Sequence, residues 1–249
     1  MARSFLVKQA DDLLDAEYTA KWRDRQALDP LTRRVLGTIL EQFIASGGPV
    51  NVDALVTLLP EQTHAEMTRA MAQLDEKDMI LVEDARVMLA YPFSSAPTVF
   101  TVLLADGRER YAVCAIDALG IAAMLGQPVT IRSRCHHCRE PLEIDVRPNG
   151  PIGGADIMVW VGERGDVRKK ACASFCMTLN FFRSEEHLRS WWEAHPDVPG
   201  AAAVLDEAFT LGAKVFGKLL HDIPSDVAVP ETPPLLVGKN AGGGAPPAF

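Results

Sequence analysis

The chain has no run of about 18 uninterrupted apolar residues, the length a membrane-spanning helix requires, so no helical membrane span is expected. Its opening residues, MARSFLVKQADDLLDAEY, reach acidic positions before an apolar stretch of signal-peptide length develops, and a cytoplasmic location is the expectation. Positive charge is in short supply. Twenty-five Lys plus Arg face 33 Asp plus Glu, for a formal charge of −8 and a pI near 5.3. That balance argues against a broad electrostatic grip on nucleic acid or on anionic membranes. Aromatic residues are only 7% of the chain, but 48% hydrophobic and 23% charged residues are ordinary globular proportions, which excludes wholesale disorder. The five cysteines are too few and too odd in number for a disulfide framework, leaving metal binding or thiol chemistry as the better expectation. Also missing are an internal repeat, a Ser-His-Asp arrangement and a nucleotide-binding loop; Gly150 to Gly154 lacks the strand and helix that such a loop joins and reads as a plain loop.

What is there divides in two. Helical apolar spacing runs from residue 10 to about 76, with Leu13, Leu14 and Tyr18 marking a first helix and Val35, Leu36, Ile39, Leu40 and Phe43 a second. A third covers Val52 to Leu59, and a fourth carries Met67, Met71 and Leu74. Met79 to Val82 and Val87 to Tyr91 then read as a small hairpin, which gives a winged-helix-like order over residues 1–91. Such a shape often reads DNA, yet residues 1–90 hold ten Lys plus Arg against fifteen Asp plus Glu. The helix that would enter the groove has Arg69 as its only cation, so a structural or lid role is expected instead.

Residues 92–97 read as a linker. From 98 to 223 the pattern becomes that of a mixed or antiparallel sheet with flanking helices, making the fold class α+β. Strands are expected at Thr98 to Leu104, Glu109 to Val113, Val129 to Arg134, Leu142 to Val146, Ile157 to Val161 and Ser174 to Phe182. Helices are expected at Ala115 to Leu125, from Ser184 onward, and at Leu205 to Leu220. The Pro-, Gly- and Ala-rich residues 224–249 read as a disordered tail.

In YAVCAIDALG, Cys114 and Asp117 stand three residues apart at a strand-to-helix junction, so thiol and carboxylate share a helix face. The helix N-terminus should also favour the thiolate. A buried cysteine beside a capping aspartate would give the same spacing. Cys135 and Cys138 form a Cys-His-His-Cys run, and Cys172 and Cys176 follow 34 residues on, so two thiol pairs invite a structural zinc reading. Zinc from these four cysteines leaves Cys114 unexplained. If residues 174–182 form a strand, Cys176, Thr178 and Asn180 share one face. His64, His187, His195 and His221 are scattered on expected helices and receive no role. Phe181 and Phe182 suit core packing or the wall of an apolar pocket, and Trp191-Trp192 suits one ring in the core and one at the rim.

YAVCAID, followed about sixty residues later by SFCMTLNFF and then by HLRSWWEAHP and LDEAFTLGAKV, resembles the organomercurial (alkylmercury) lyases over roughly residues 20–220. The resemblance implies that Cys114 and Cys176 are catalytic cysteines, that Asp117 is the catalytic aspartate, and that Cys135 is structural. It implies protonolysis of a carbon–mercury bond, giving a hydrocarbon and mercury(II) held by Cys114 and Cys176. No cofactor is implied. Small thiols in excess, or the cysteine pair of a mercuric reductase, would take the metal away. Val113 stands where relatives often carry an aromatic residue, and Cys138 and Cys172 lie outside the family's catalytic set. They are left either for zinc, with Cys135 and His136 or His137, or for scavenging mercury. The alternative is a thiol-based metal-binding or metal-responsive regulatory protein without lyase activity, in which Asp117 has no necessary task.

Overall fold

The computed structural model describes residues 5–13, 27–165 and 169–220. Each N-terminal helix begins on a side chain that satisfies its free amides. Asp29 accepts from the Leu31 and Thr32 amides to start α1 (Pro30–Ser46), with Pro30 in the first turn and left-handed Gly47 at its end. Asn51 caps α2 (Val52–Leu58), and Thr63 with Glu66 forms a reciprocal capping box on α3 (His64–Glu76). The first helix expected from Leu13, Leu14 and Tyr18 lies largely outside the described residues. Among those described, Ala10–Asp12 form one 3-10 turn.

Strands β1 (Val50–Asn51), β2 (Ile80–Glu83), β3 (Arg86–Ala90), β4 (Phe93–Ser94), β5 (Thr101–Leu103), β6 (Glu109–Ala112), β7 (Val129–Arg134), β8 (Pro141–Arg147) and β9 (Gly150–Ile152) form one antiparallel sheet. Its order is β1-β3-β4-β6-β5-β7-β8-β9, with β2 also paired to β3. The expected linker at 92–97 is therefore no free connection. β4 bonds β3 on one side and β6 on the other, and Phe93 is fully buried. Arg110 on β6 reinforces the junction by donating to the Ile44 and Ala45 carbonyls at the end of α1, so sheet and core run without a break across the expected boundary. Gly150 to Gly154, read from sequence as a loop, instead carries β9.

A second antiparallel sheet has β10 (Met158–Gly162) between β11 (Asn180–Phe182) and β12 (Gly200–Val204). The strand expected over Ser174 to Phe182 survives only as β11. Cys176–Thr178 form a 3-10 turn, as do Ala171–Ala173. The Ser174 hydroxyl donates to the Lys170 carbonyl and that of Thr178 to the Phe175 carbonyl, local bonds that compete with a β-ladder. Cys176, Thr178 and Asn180 accordingly do not line one strand face. Phe181 and Phe182 are fully buried, the first in the main core and the second in a smaller cluster with Trp160 and Trp191.

Apart from Asp117, helix α4 (Ala115–Leu125) is apolar on every side and nearly all buried, the character of a central helix. It packs on α6 (Leu205–Phe216) at a glycine crossing; α5 (Glu185–Ala194) lies between them in sequence. A Cβ at Gly212 would sit 2.7 Å from the Ile116 carbonyl oxygen, and one at Gly120 would be 2.8 Å from the Gly212 oxygen. Gly212→Ala gains about 1 kcal/mol in helix propensity. The clash is with rigid backbone, so overpacking of about 1–3 kcal/mol or more should dominate. Urea unfolding should show a lower midpoint at unchanged slope; an unaltered or higher midpoint would mean that the helices separate freely.

Candidate thiol and carboxylate site

Cys114 ends the approach from β6 and is the N-cap of α4, its sulfur accepting the Asp117 amide at 3.5 Å. The expected side-by-side placement of Cys114 and Asp117 is therefore present. Cys176 comes from the 3-10 turn before β11. The Ala115 amide donates to the Leu179 carbonyl at 3.3 Å, joining the first turn of α4 to the chain just beyond Cys176. One ligand atom from each of Cys114, Asp117 and Cys176 lies within 4.8 Å of the others, and the three residues are 1%, 4% and 7% exposed.

The N-terminal part of the chain anchors the Ala171–Ala173 turn, which packs against the Cys176 turn. The Asp78 carboxylate accepts the Ala171 amide at 3.0 Å, and the Lys170 ammonium reaches the Asp75 carboxylate at 2.9 Å. The Tyr91 hydroxyl accepts the Cys172 amide at 2.7 Å. Composition and spacing did not single out Tyr91 or Asp78. Their signal is long-range, because each touches a segment some eighty residues or more away in the chain. Half-buried Cys172 stands on the Ala171–Ala173 turn that packs against the Cys176 turn, and not with Cys135 and Cys138, so the four-cysteine zinc arrangement does not form.

Burial sets the proton inventory. It raises Cys114 well above an ordinary thiol, and the neighbouring Cys176 sulfur and Asp117 charge push the same way. The hydrogen bond with Cys114 favours the Cys176 thiolate, but burial and the Asp117 and Asp78 charges leave this thiol raised as well. Burial thus opposes the activation expected from the helix terminus. A raised folded pKa stabilises the fold while the thiol keeps its proton, and that contribution is lost as pH climbs from the ordinary value near 9.0 through the folded one. Stability should therefore fall more steeply above pH 9 in the wild type than in Cys114→Ala. Parallel pH profiles of the urea midpoint would contradict this.

The remaining cysteines lie elsewhere. Cys135 and Cys138 meet His187, a residue given no role from sequence, with Cys135 Sγ 3.6 Å from His187 Nδ1. His136, expected as a partner for them, packs against Phe182 and Trp191 instead. His195 stacks on Trp191, and His221 lies outside the described residues.

Fold and site together define an α+β protein with a buried dithiol and carboxylate suited to a soft metal. The family model described as alkylmercury lyase, MerB, matches residues 93–217, half of the chain. An alkylmercury lyase of Bacillus cereus is 28% identical over 70% of this chain and 77% of its own length. Another, of Streptomyces lividans, is 27% identical over 73% and 81%. A solved structure, the mercury-bound form of MerB2, superposes with a TM-score of 0.69 at 25% identity, covering 83% of this chain and all of that one. The chain belongs to the alkylmercury lyase family. Among its described residues no helix is long and apolar enough to cross a membrane.

Proposed function

We propose that the protein cleaves organomercurials at the carbon–mercury bond, with Cys114 and Cys176 as the metal ligands and Asp117 as the proton carrier. The observation that carries this reading is the convergence of two thiols and one carboxylate in a nearly closed site. Mercury(II) is a soft cation, and thiolates are the softest ligands a protein offers. One thiol displaces the substrate's existing ligand and forms a sulfur–mercury bond, its proton leaving with that ligand. Asp117 then takes the proton of the second thiol, whose sulfur adds to mercury and increases electron density at the carbon. The carboxylic acid so formed protonates that carbon. The carbon–mercury bond breaks, hydrocarbon departs, mercury(II) stays on two sulfurs, and Asp117 is again a carboxylate.

The raised thiol pKa values suit this sequence, since the proton that ends on carbon must first be retained. No cofactor enters the steps. Two small thiols, or the cysteine pair of a mercuric reductase, would remove mercury(II) by ligand exchange and return both protons to Cys114 and Cys176. Cytoplasm, where small thiols are abundant, is the compartment this exchange favours. Half-buried Cys172, on the neighbouring Ala171–Ala173 turn, is available for the first exchange.

The N-terminal part is read as a winged-helix arrangement kept for structure. Its order α1-β1-α2-α3-β2-β3, with β1 paired to β3, supports that description. Its contacts through Asp75, Asp78 and Tyr91 to residues 170–172 support a task in bracing the Cys176 turn from the turn before it. The direct test is incubation with methylmercury or phenylmercury and excess small thiol, following methane or benzene by gas chromatography. Many equivalents of hydrocarbon per protein are expected. Tight organomercury binding with no hydrocarbon would overturn the enzyme in favour of a scavenger.

A further inference from the structure

The turn between β7 and β8 brings Cys135 and Cys138 together by its backbone. The Cys135 amide donates to the Glu140 carbonyl, the Arg139 amide donates back to the Cys135 carbonyl, both at 2.9 Å, and Arg139 takes a left-handed conformation, φ 64°. This turn is tied to the next segment twice. The His136 amide donates to the Phe181 carbonyl at 2.8 Å, and the Arg183 amide approaches Cys135 Sγ at 3.5 Å. Ser184 follows at once and caps α5, accepting the His187 amide, so the first turn of α5 delivers the His187 ring onto the two sulfurs.

We propose that Cys135, Cys138 and His187 form a zinc(II) site, separate from the catalytic thiols and structural in purpose. Their ligating atoms lie within 4.8 Å of one another. A tetrahedral zinc with ordinary bond lengths holds its sulfur and nitrogen ligands about 3.5 Å apart, and Cys135 Sγ and His187 Nδ1 are 3.6 Å apart. Two thiolates with one imidazole is a donor set that suits zinc, and magnesium or calcium would reject it. The His137 ring, 5.4 Å from that of His187 between centroids, is the nearby side chain for the fourth position. The local reason for a metal is the size of what it would reinforce. The core beside it is a small cluster around Trp160, Phe182 and Trp191, distinct from the main core, and zinc would pin the β7–β8 turn to α5 across its edge.

The site is tested on the full chain with the catalytic thiols removed, as Cys114→Ser/Cys176→Ser, so that metal at that pair contributes nothing. After reduction, loading with zinc and removal of free metal, about one zinc per chain should remain by elemental analysis. Cys138→Ser and His187→Ala, each placed on that background, should lower the retained zinc at least tenfold. Cobalt(II) loading gives a second readout, a sulfur-to-cobalt charge-transfer band that Cys138→Ser weakens and His137→Ala leaves in place. Zinc absent from the parent, or equally retained in both Cys138→Ser and His187→Ala, would overturn the assignment. So would a Cys135–Cys138 disulfide that re-forms in the presence of zinc. None of these outcomes bears on hydrocarbon release by the wild type, so the two readings stand or fall separately.

Discussion

Cys114→Ser and Cys176→Ser should each reduce hydrocarbon release from methylmercury or phenylmercury by about a thousandfold or more, with the fold retained. Serine nearly conserves volume, so cavity formation is a small concern at these buried positions. What it removes is the soft donor, because a hydroxyl neither ionises in a buried site nor competes for mercury as sulfur does. In the proposed mechanism the two sulfurs act on one metal, so the double variant should be hardly worse than either single one, the non-additivity expected of groups that work as a unit. Circular dichroism and the urea midpoint would establish that each variant is folded. Near-normal turnover by either single variant would end the two-thiolate mechanism.

Asp117→Ala should separate binding from chemistry. Both sulfurs remain, so the variant should still take up organomercury stoichiometrically, as measured by mercury retained after desalting. Release of hydrocarbon should drop by about 10²–10⁴, the range a positioned acid–base group contributes. Asp117 is 4% exposed, so bulk water is poorly placed to substitute for it. Unimpaired cleavage would assign proton delivery elsewhere. Loss of binding together with loss of cleavage would instead make the carboxylate a metal ligand.

The trio and the second thiol cluster differ in how far the sequence reveals them. Cys114 and Asp117 are legible because one helix start holds both, and a helix fixes its i and i+3 positions whatever the remainder of the chain does. Cys176 required the resemblance, since nothing local ties a residue 62 positions later to that helix. His187 is hidden in the sequence for a related reason. Its helix start was readable from Ser184, but its meeting with Cys135 depends on how β11 lies against the β7–β8 turn, which no periodicity expresses. The strand expected over 174–182 had the right apolar alternation. Local bonds from Ser174 and Thr178 to main-chain carbonyls turned its first half into 3-10 geometry. The supposed linker at 92–97 had prolines at both ends, yet fully buried Phe93 and its two strand partners make it part of the sheet.

The bond from the Ala115 amide to the Leu179 carbonyl bears on which length changes this architecture tolerates. It closes a large loop from two short arms, one residue after Cys114 and three after Cys176. The long excursion between them, through β7, β8, β9 and β10, does not enter that register. Insertions at the exposed turns of the excursion can therefore accumulate without moving one sulfur relative to the other. A single residue gained or lost within either short arm would shift one thiol away from the other. Across diverging sequences, the spacing from each cysteine to its own anchoring residue should stay fixed, and the count of residues from one cysteine to the other should drift.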